Sequence, residues 1–178
     1  MYISQRILFT ALAVVIFIGF IRADEVALPK WFTKIPKNEY VGISERTFLE
    51  KIMLLHEEFA KSISEVRTGR MSRHLYDVER MMRTDIMEHA LTDEQLYRSV
   101  VEHRRKFIGL KGFDYDTLYP KTLSLNIPSD VLPLWRQDYE KMQRSMIYSE
   151  SLSFDELIAR IQELNKRINQ LPYCIRKE

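Results

Sequence analysis

Cysteine is nearly missing from this chain. Cys174 stands alone among 178 residues, so no intramolecular disulfide can staple the fold. Glycine is scarce too, with five in the whole sequence, which leaves little room for a sheet-rich fold built on glycine turns. No Gly-Lys-Ser/Thr occurs, and Gly109 and Gly112 are too isolated to make a phosphate-cradling loop.

The histidines miss the spacings that metal chemistry needs. His56 is followed by Glu57, but Ala60 stands where a zinc-protease helix requires its second histidine. Three residues before His56, His74, His89 and His103 stand Met53, Met71, Ile86 and Val100. The Glu-x-x-His pair of a carboxylate-bridged di-iron bundle is therefore absent. Asp85 and His89, one helical turn apart, suit a surface pair better than a catalytic dyad. Cys174, in the tail, suits a free thiol or a crosslink better than a nucleophile with its base. On these residues the chain is expected to be no enzyme, with no cofactor and no metal site.

An excess of one charge is lacking as well. The sequence has 27 basic and 25 acidic residues, and taking away Arg6 and Arg22 leaves the remainder balanced at 25 against 25. Nucleic-acid binding usually draws on a concentrated basic face, so no nucleic-acid partner is expected.

What is present begins with one long apolar run, Ile7–Ile21, broken only by Thr10 as a polar side chain. As a helix it reaches roughly 22 Å, short of the ~30 Å bilayer core, and its length also suits a secretory signal core. Two readings follow. A retained anchor would place Ile7, Leu8, Phe9, Leu12, Val14, Val15, Ile16, Phe17, Ile18, Phe20 and Ile21 in lipid. Arg22, Lys30, Trp31 and Phe32 would then lie at the interface. A cleaved signal would end at Ala23 and send the rest outward as a secreted or periplasmic protein.

The remainder reads as helical. Residues 24–43, with Pro29 and Pro36, suit an extended juxtamembrane connector, and residues 44–178 a helical body. Phe48, Ile52, Leu55, Phe59, Ile63 and Val66 form one stripe, predicting a helix from Glu45 to Val66. A second helix is expected over Ser72–Ala90, capped by Ser72, with Leu75, Val78, Met82 and Ile86 inward. Met71, Met81, Met82 and Met87 are expected in the core. A third starts at Thr92, turns Leu96, Val100, Val101 and Phe107 inward and closes at Gly109. The basic cluster His103–Lys106 is expected to be a solvated helix end.

Lys111–Asp130 is a long irregular strap in which Leu123, Leu125 and Ile127 alternate like a short strand. A fourth helix follows from near Ser129–Pro133. A fifth is capped by Ser153 with Glu156 in capping-box register and stops before Pro172.

The expected fold is all-α: about five amphipathic helices, long irregular straps and an N-terminal apolar helix. The function expected from these features is a non-catalytic, single-span accessory or structural subunit of a larger membrane complex. Its partners would be membrane lipid and other protein subunits, and its favoured place an energy-converting membrane such as the mitochondrial inner membrane. The alternative is an exported helical binding protein.

Overall fold

The computed structural model describes residues 37–173 apart from Ser149, with side chains from Ser44 onwards. The chain divides into two compact units, residues 1–39 and 40–178, and the described elements belong almost wholly to the second. The apolar run, the interfacial residues Arg22, Lys30, Trp31 and Phe32, and Cys174 lie outside the described residues. Among the described residues, no helix is long and apolar enough to cross a membrane.

The fold is all-helical, with no strand among the described residues. Its helices are α1 (Lys37–Phe59), α2 (Ser72–Met82), α3 (Ile86–Thr92), α4 (Glu94–His103), α5 (Leu132–Met146) and α6 (Phe154–Asn169). A π-helical turn, Arg104–Ile108, continues α4, and short 3-10 turns sit at Ile63–Glu65 and Tyr115–Leu118.

Helix α1 is the central element. Phe48, Leu49, Ile52, Met53 and Leu55 are all fully buried, so more than one face is covered. Neighbours account for those faces. Phe59 meets Trp135 of α5 edge-on at 5.0 Å. Lys51 Nζ reaches Asp77 Oδ2 of α2 at 2.7 Å. Arg104, after α4, reaches Glu57. Each fully buried Leu, Ile or Phe contributes about 1.5–3 kcal/mol, so this helix supplies a substantial part of the core's stabilisation. Helix α2 packs on both α5 and α6. Met71, Met82 and Met87 are buried in the core and Met81 packs against it.

Several boundaries differ from the periodicity, each for a local reason. Helix α1 begins at Lys37, so residues 37–43 continue the helix instead of forming part of an extended connector. It ends at Phe59 because Glu58 folds the following loop back. Its Oε1 accepts the Arg67 amide at 2.6 Å, and its Oε2 takes Lys61 Nζ at 2.8 Å and Arg67 Nη2 at 2.6 Å. Val66 is buried from that loop, while Ile63 is 45% exposed.

The expected second helix breaks after Met82. Thr84 Oγ1 donates to the Met81 carbonyl at 2.7 Å and accepts the Ile86 amide at 3.4 Å. A threonine hydroxyl that bonds the backbone offers it an alternative to helix continuation. The π turn rotates the register after His103, so Phe107 is 66% exposed instead of inward. Gly109 closes that turn at φ 54°, the left-handed region where glycine carries no Cβ penalty. Ser153 caps α6 in a complete capping box with Glu156, as its spacing predicts.

The alternating stretch Leu123–Ile127 is an extended strap with no neighbouring strand among the described residues. Side chains take the neighbour's place. Asn165 Oδ1 accepts the Leu125 amide, and Asn169 Nδ2 donates to the Leu123 carbonyl at 2.9 Å and to that of Pro120. From the other side His56 Nδ1 accepts the Ser124 amide at 2.9 Å. Buried backbone groups must find partners, and here two helices supply them.

Candidate functional site

The loop between α1 and α2 makes a tight passage at Thr68-Gly69-Arg70-Met71. Arg70 sits at φ 59°, a left-handed conformation that costs a side-chain-bearing residue energy unless neighbours hold it. Asp138, from α5, does the holding. Its Oδ1 accepts the Arg70 amide at 2.6 Å, and its Oδ2 accepts the Ser72 amide at 3.0 Å and the Ser72 hydroxyl at 2.6 Å.

A helix start leaves amides without intrahelical partners, and a short polar residue usually caps them. Met71 occupies the cap position of α2 and has no side-chain cap bond. Asp138 supplies the cap from across the fold. Ser72, expected as the cap, is instead the first helical residue and donates to the aspartate. Burial pushes the Asp138 carboxyl up, but the hydrogen bonds from Ser72 and the Arg70 amide outweigh it and hold the group below the ordinary range.

This bracing shapes a groove of about 380 Å³ between residues 69–73 and α5. Arg70, Arg73 and Lys141 line it, with Met142 and Met146 as its apolar part. Three cations thus surround one cavity against a single carboxylate whose two oxygens are engaged. Arg70, Arg73 and Lys141 are exposed, and none is within ion-pair distance of a carboxylate among the described residues. Such a lining can hold a small anion with several negative oxygens.

A second polar cluster is closed to ligands by its own pairing. Arg104, 5% exposed, donates from Nε and Nη2 to both oxygens of Glu57 at 2.7 and 2.6 Å. Its Nη1 donates to Glu50 Oε2 at 2.5 Å. The basic cluster at His103–Lys106 is therefore not simply a solvated helix end, since its arginine at 104 is the buried centre of an ion network. The His89 ring lies 3.6 Å from Glu45 and not beside the Asp85 carboxylate.

The groove residues escaped the sequence reading. Arg70 and Arg73 lie far along the chain from Asp138 and Lys141, and no spacing links the two pairs. The local signal was the repetition Arg67, Arg70, Arg73 around Gly69 at a helix start.

An all-helical domain with a braced, cation-lined groove is a candidate for handling phosphorylated ligands. Comparison with known families narrows this. Residues 44–160 match the model of the nucleotidyl transferase AbiEii toxin family, of type IV toxin–antitoxin systems, and the chain belongs to that family. No curated protein and no solved structure gives a significant match.

Membership overturns the expectation of a non-catalytic accessory subunit of a membrane complex, and that of an exported binding protein. The expected lipid and membrane-subunit partners and the mitochondrial inner-membrane location fall with it, as does the expectation that the chain is no enzyme. The exclusion of nucleic-acid-type partners rested on overall charge balance, which says nothing of where the charges lie.

Transfer of nucleotides is ordinarily served by divalent cations held through carboxylates. Among the described residues no group of three or more His, Cys, Asp or Glu side chains could hold a metal ion. Asp138 in the groove already has both oxygens engaged by the loop. The groove's own lining therefore leaves no free carboxylate to hold a metal ion.

Proposed function

We propose that this chain is a nucleotidyl transferase of the toxin type, taking a nucleoside triphosphate and passing its nucleotidyl group to an acceptor with release of pyrophosphate. The family match across residues 44–160 carries this reading. The matched span includes all the groove residues, and that groove is the described cavity best supplied with unpaired cations. The physical requirement is a surface that gathers three phosphates in one place, which arginine and lysine provide through charge-assisted hydrogen bonds.

The test is direct. The full chain is incubated with each common ribonucleoside triphosphate labelled at the α-phosphorus, together with a cell extract as acceptor pool. Label moving into macromolecule, with pyrophosphate released, is the expected result. Absence of transfer from every nucleotide, with the protein folded by circular dichroism, overturns the proposal. Growth arrest on induced expression, relieved by a co-expressed antitoxin, is the matching readout in cells.

A further inference from the structure

We propose that the groove between residues 69–73 and α5 is a polyphosphate-binding site, in which Arg70, Arg73 and Lys141 take the triphosphate chain of a nucleoside triphosphate. The nucleoside part rests on the reading above. The polyphosphate part rests on the groove alone.

Size, charge and rigidity converge on that ligand. The cavity of about 380 Å³ falls in the ordinary size range of small-molecule sites. Several other arginines of this domain meet carboxylates, as Arg67 meets Glu58 and Arg136 meets Asp155 at 2.5 Å. Arg70, Arg73 and Lys141 do not, although they share one concave surface. Like charges gathered around a cavity repel, and an anion seated among them relieves the repulsion.

The cavity is roomier than a lone phosphate requires. Cations on either side of it, Arg70 and Arg73 at the entry to α2 and Lys141 on α5, fit an anion long enough to touch both. The helix end itself is not the binding element, because Asp138 already occupies its first amide, that of Ser72. What Asp138 adds is rigidity. It fixes Arg70 in its left-handed conformation, so little loop ordering has to be paid on binding. Met146, 60% exposed, and Met142 beside it offer an adaptable apolar contact for a base.

Isothermal titration of the full chain with inorganic tripolyphosphate, and separately with ATP, tests the site. The variants are Arg70→Gln/Arg73→Gln and Lys141→Gln, with Lys166→Gln on α6 as a control matched in charge to the second. Both ligands are expected to bind the natural chain. Each groove variant should weaken binding roughly tenfold or more, as the loss of a charge-assisted contact implies, and the control should not. Hydrogen exchange should show tripolyphosphate protecting residues 69–73 and 138–146.

Binding unchanged in the groove variants, or protection elsewhere, overturns the site, as does no binding of tripolyphosphate at all. The labelled-transfer assay keeps the two proposals apart. Transfer undiminished in the groove variants sinks the site and leaves the enzyme standing. Tripolyphosphate bound in the groove with no transfer from any nucleotide sinks the enzyme and leaves the site.

Discussion

The ion network at Arg104 and the groove at Arg70 use the same side chain to opposite ends. Arg104 is buried, and its guanidinium meets two carboxylates at 2.5–2.7 Å. Arg70 and Arg73 stand in solvent around a cavity with no carboxylate in ion-pair reach among the described residues. A cation saturated by its own protein can only serve the fold. Cations left unsaturated on a rigid wall are available to a ligand. Burial together with pairing, and not residue type, separates the two roles.

The contrast breaks most sharply at Arg104. Arg104→Ala leaves Glu57, 4% exposed, as a buried charge without its partner. The expected loss is about 3–5 kcal/mol of unfolding free energy, read from the urea midpoint at constant slope. A loss below about 1 kcal/mol would show that the network behaves like a surface pair. Replacing Arg104 by Met and Glu57 by Leu together should recover much of the stability, because no lone charge is then left buried.

Next in size is the strap. Asn165→Ala removes the acceptor of the Leu125 amide and a donor to the Leu123 carbonyl. Leaving such buried groups unsatisfied costs about 1–3 kcal/mol. Hydrogen exchange at Leu125 should accelerate by more than at the amides of α6. Equal acceleration at both would mean that the asparagine supports its own helix and not the strap.

How much of this was legible beforehand depends on the range of the interaction. The capping box of α6 was plain at Ser153 and Glu156, because both partners sit within one turn. The apolar stripes of α1, α2 and α6 were plain for the same reason. The break at Thr84 was not, since a threonine inside a periodic stretch bonds the backbone only in some contexts. The strap's strand-like alternation was plain, and it poses the question of what pairs with it. The answer, asparagines some forty residues downstream and a histidine sixty-eight residues upstream, was not. The groove was the least legible feature. Charge balance is a sum over the chain, and a sum conceals three unpaired cations placed side by side by a loop that Asp138 pins.

Acidification separates the two polar anchors with smaller effects. His56 is buried, which lowers its pKa below the ordinary 6.5 despite the Ser124 carbonyl and Glu57 nearby. The neutral ring accepts from Ser124 and bonds the Thr117 hydroxyl at 3.0 Å. Around pH 6.5 the unfolded chain takes up a proton that the folded one refuses. The stability owed to neutral His56 is therefore complete above that pH and declines as pH falls below it towards the lowered folded-state value. His56→Gln should flatten that slope. Asp138, with its pKa held down, contributes fully above the ordinary aspartate value of 3.8 and loses its contribution as pH falls through the lowered one. Asp138→Ala should cost about 1 kcal/mol near neutrality, the usual price of a helix cap, and should remove the most acidic part of the profile.

The smallest expected change in stability comes from the groove cations, and it sharpens the comparison most. Gln at Arg70, Arg73 or Lys141 removes no internal pair, so the unfolding free energy should move by less than about 0.5 kcal/mol. Relief of like-charge repulsion should even stabilise the free protein slightly at low salt, with the gain fading as salt screens it. A loss above about 1 kcal/mol would place these side chains with Arg104 as structural, since exposed residues without such a role rarely cost that much. Stability conserved while tripolyphosphate binding falls would be the signature of charges kept for a ligand. The guanidiniums at Arg104 and Arg70 would then be separated by measurement as they are by burial.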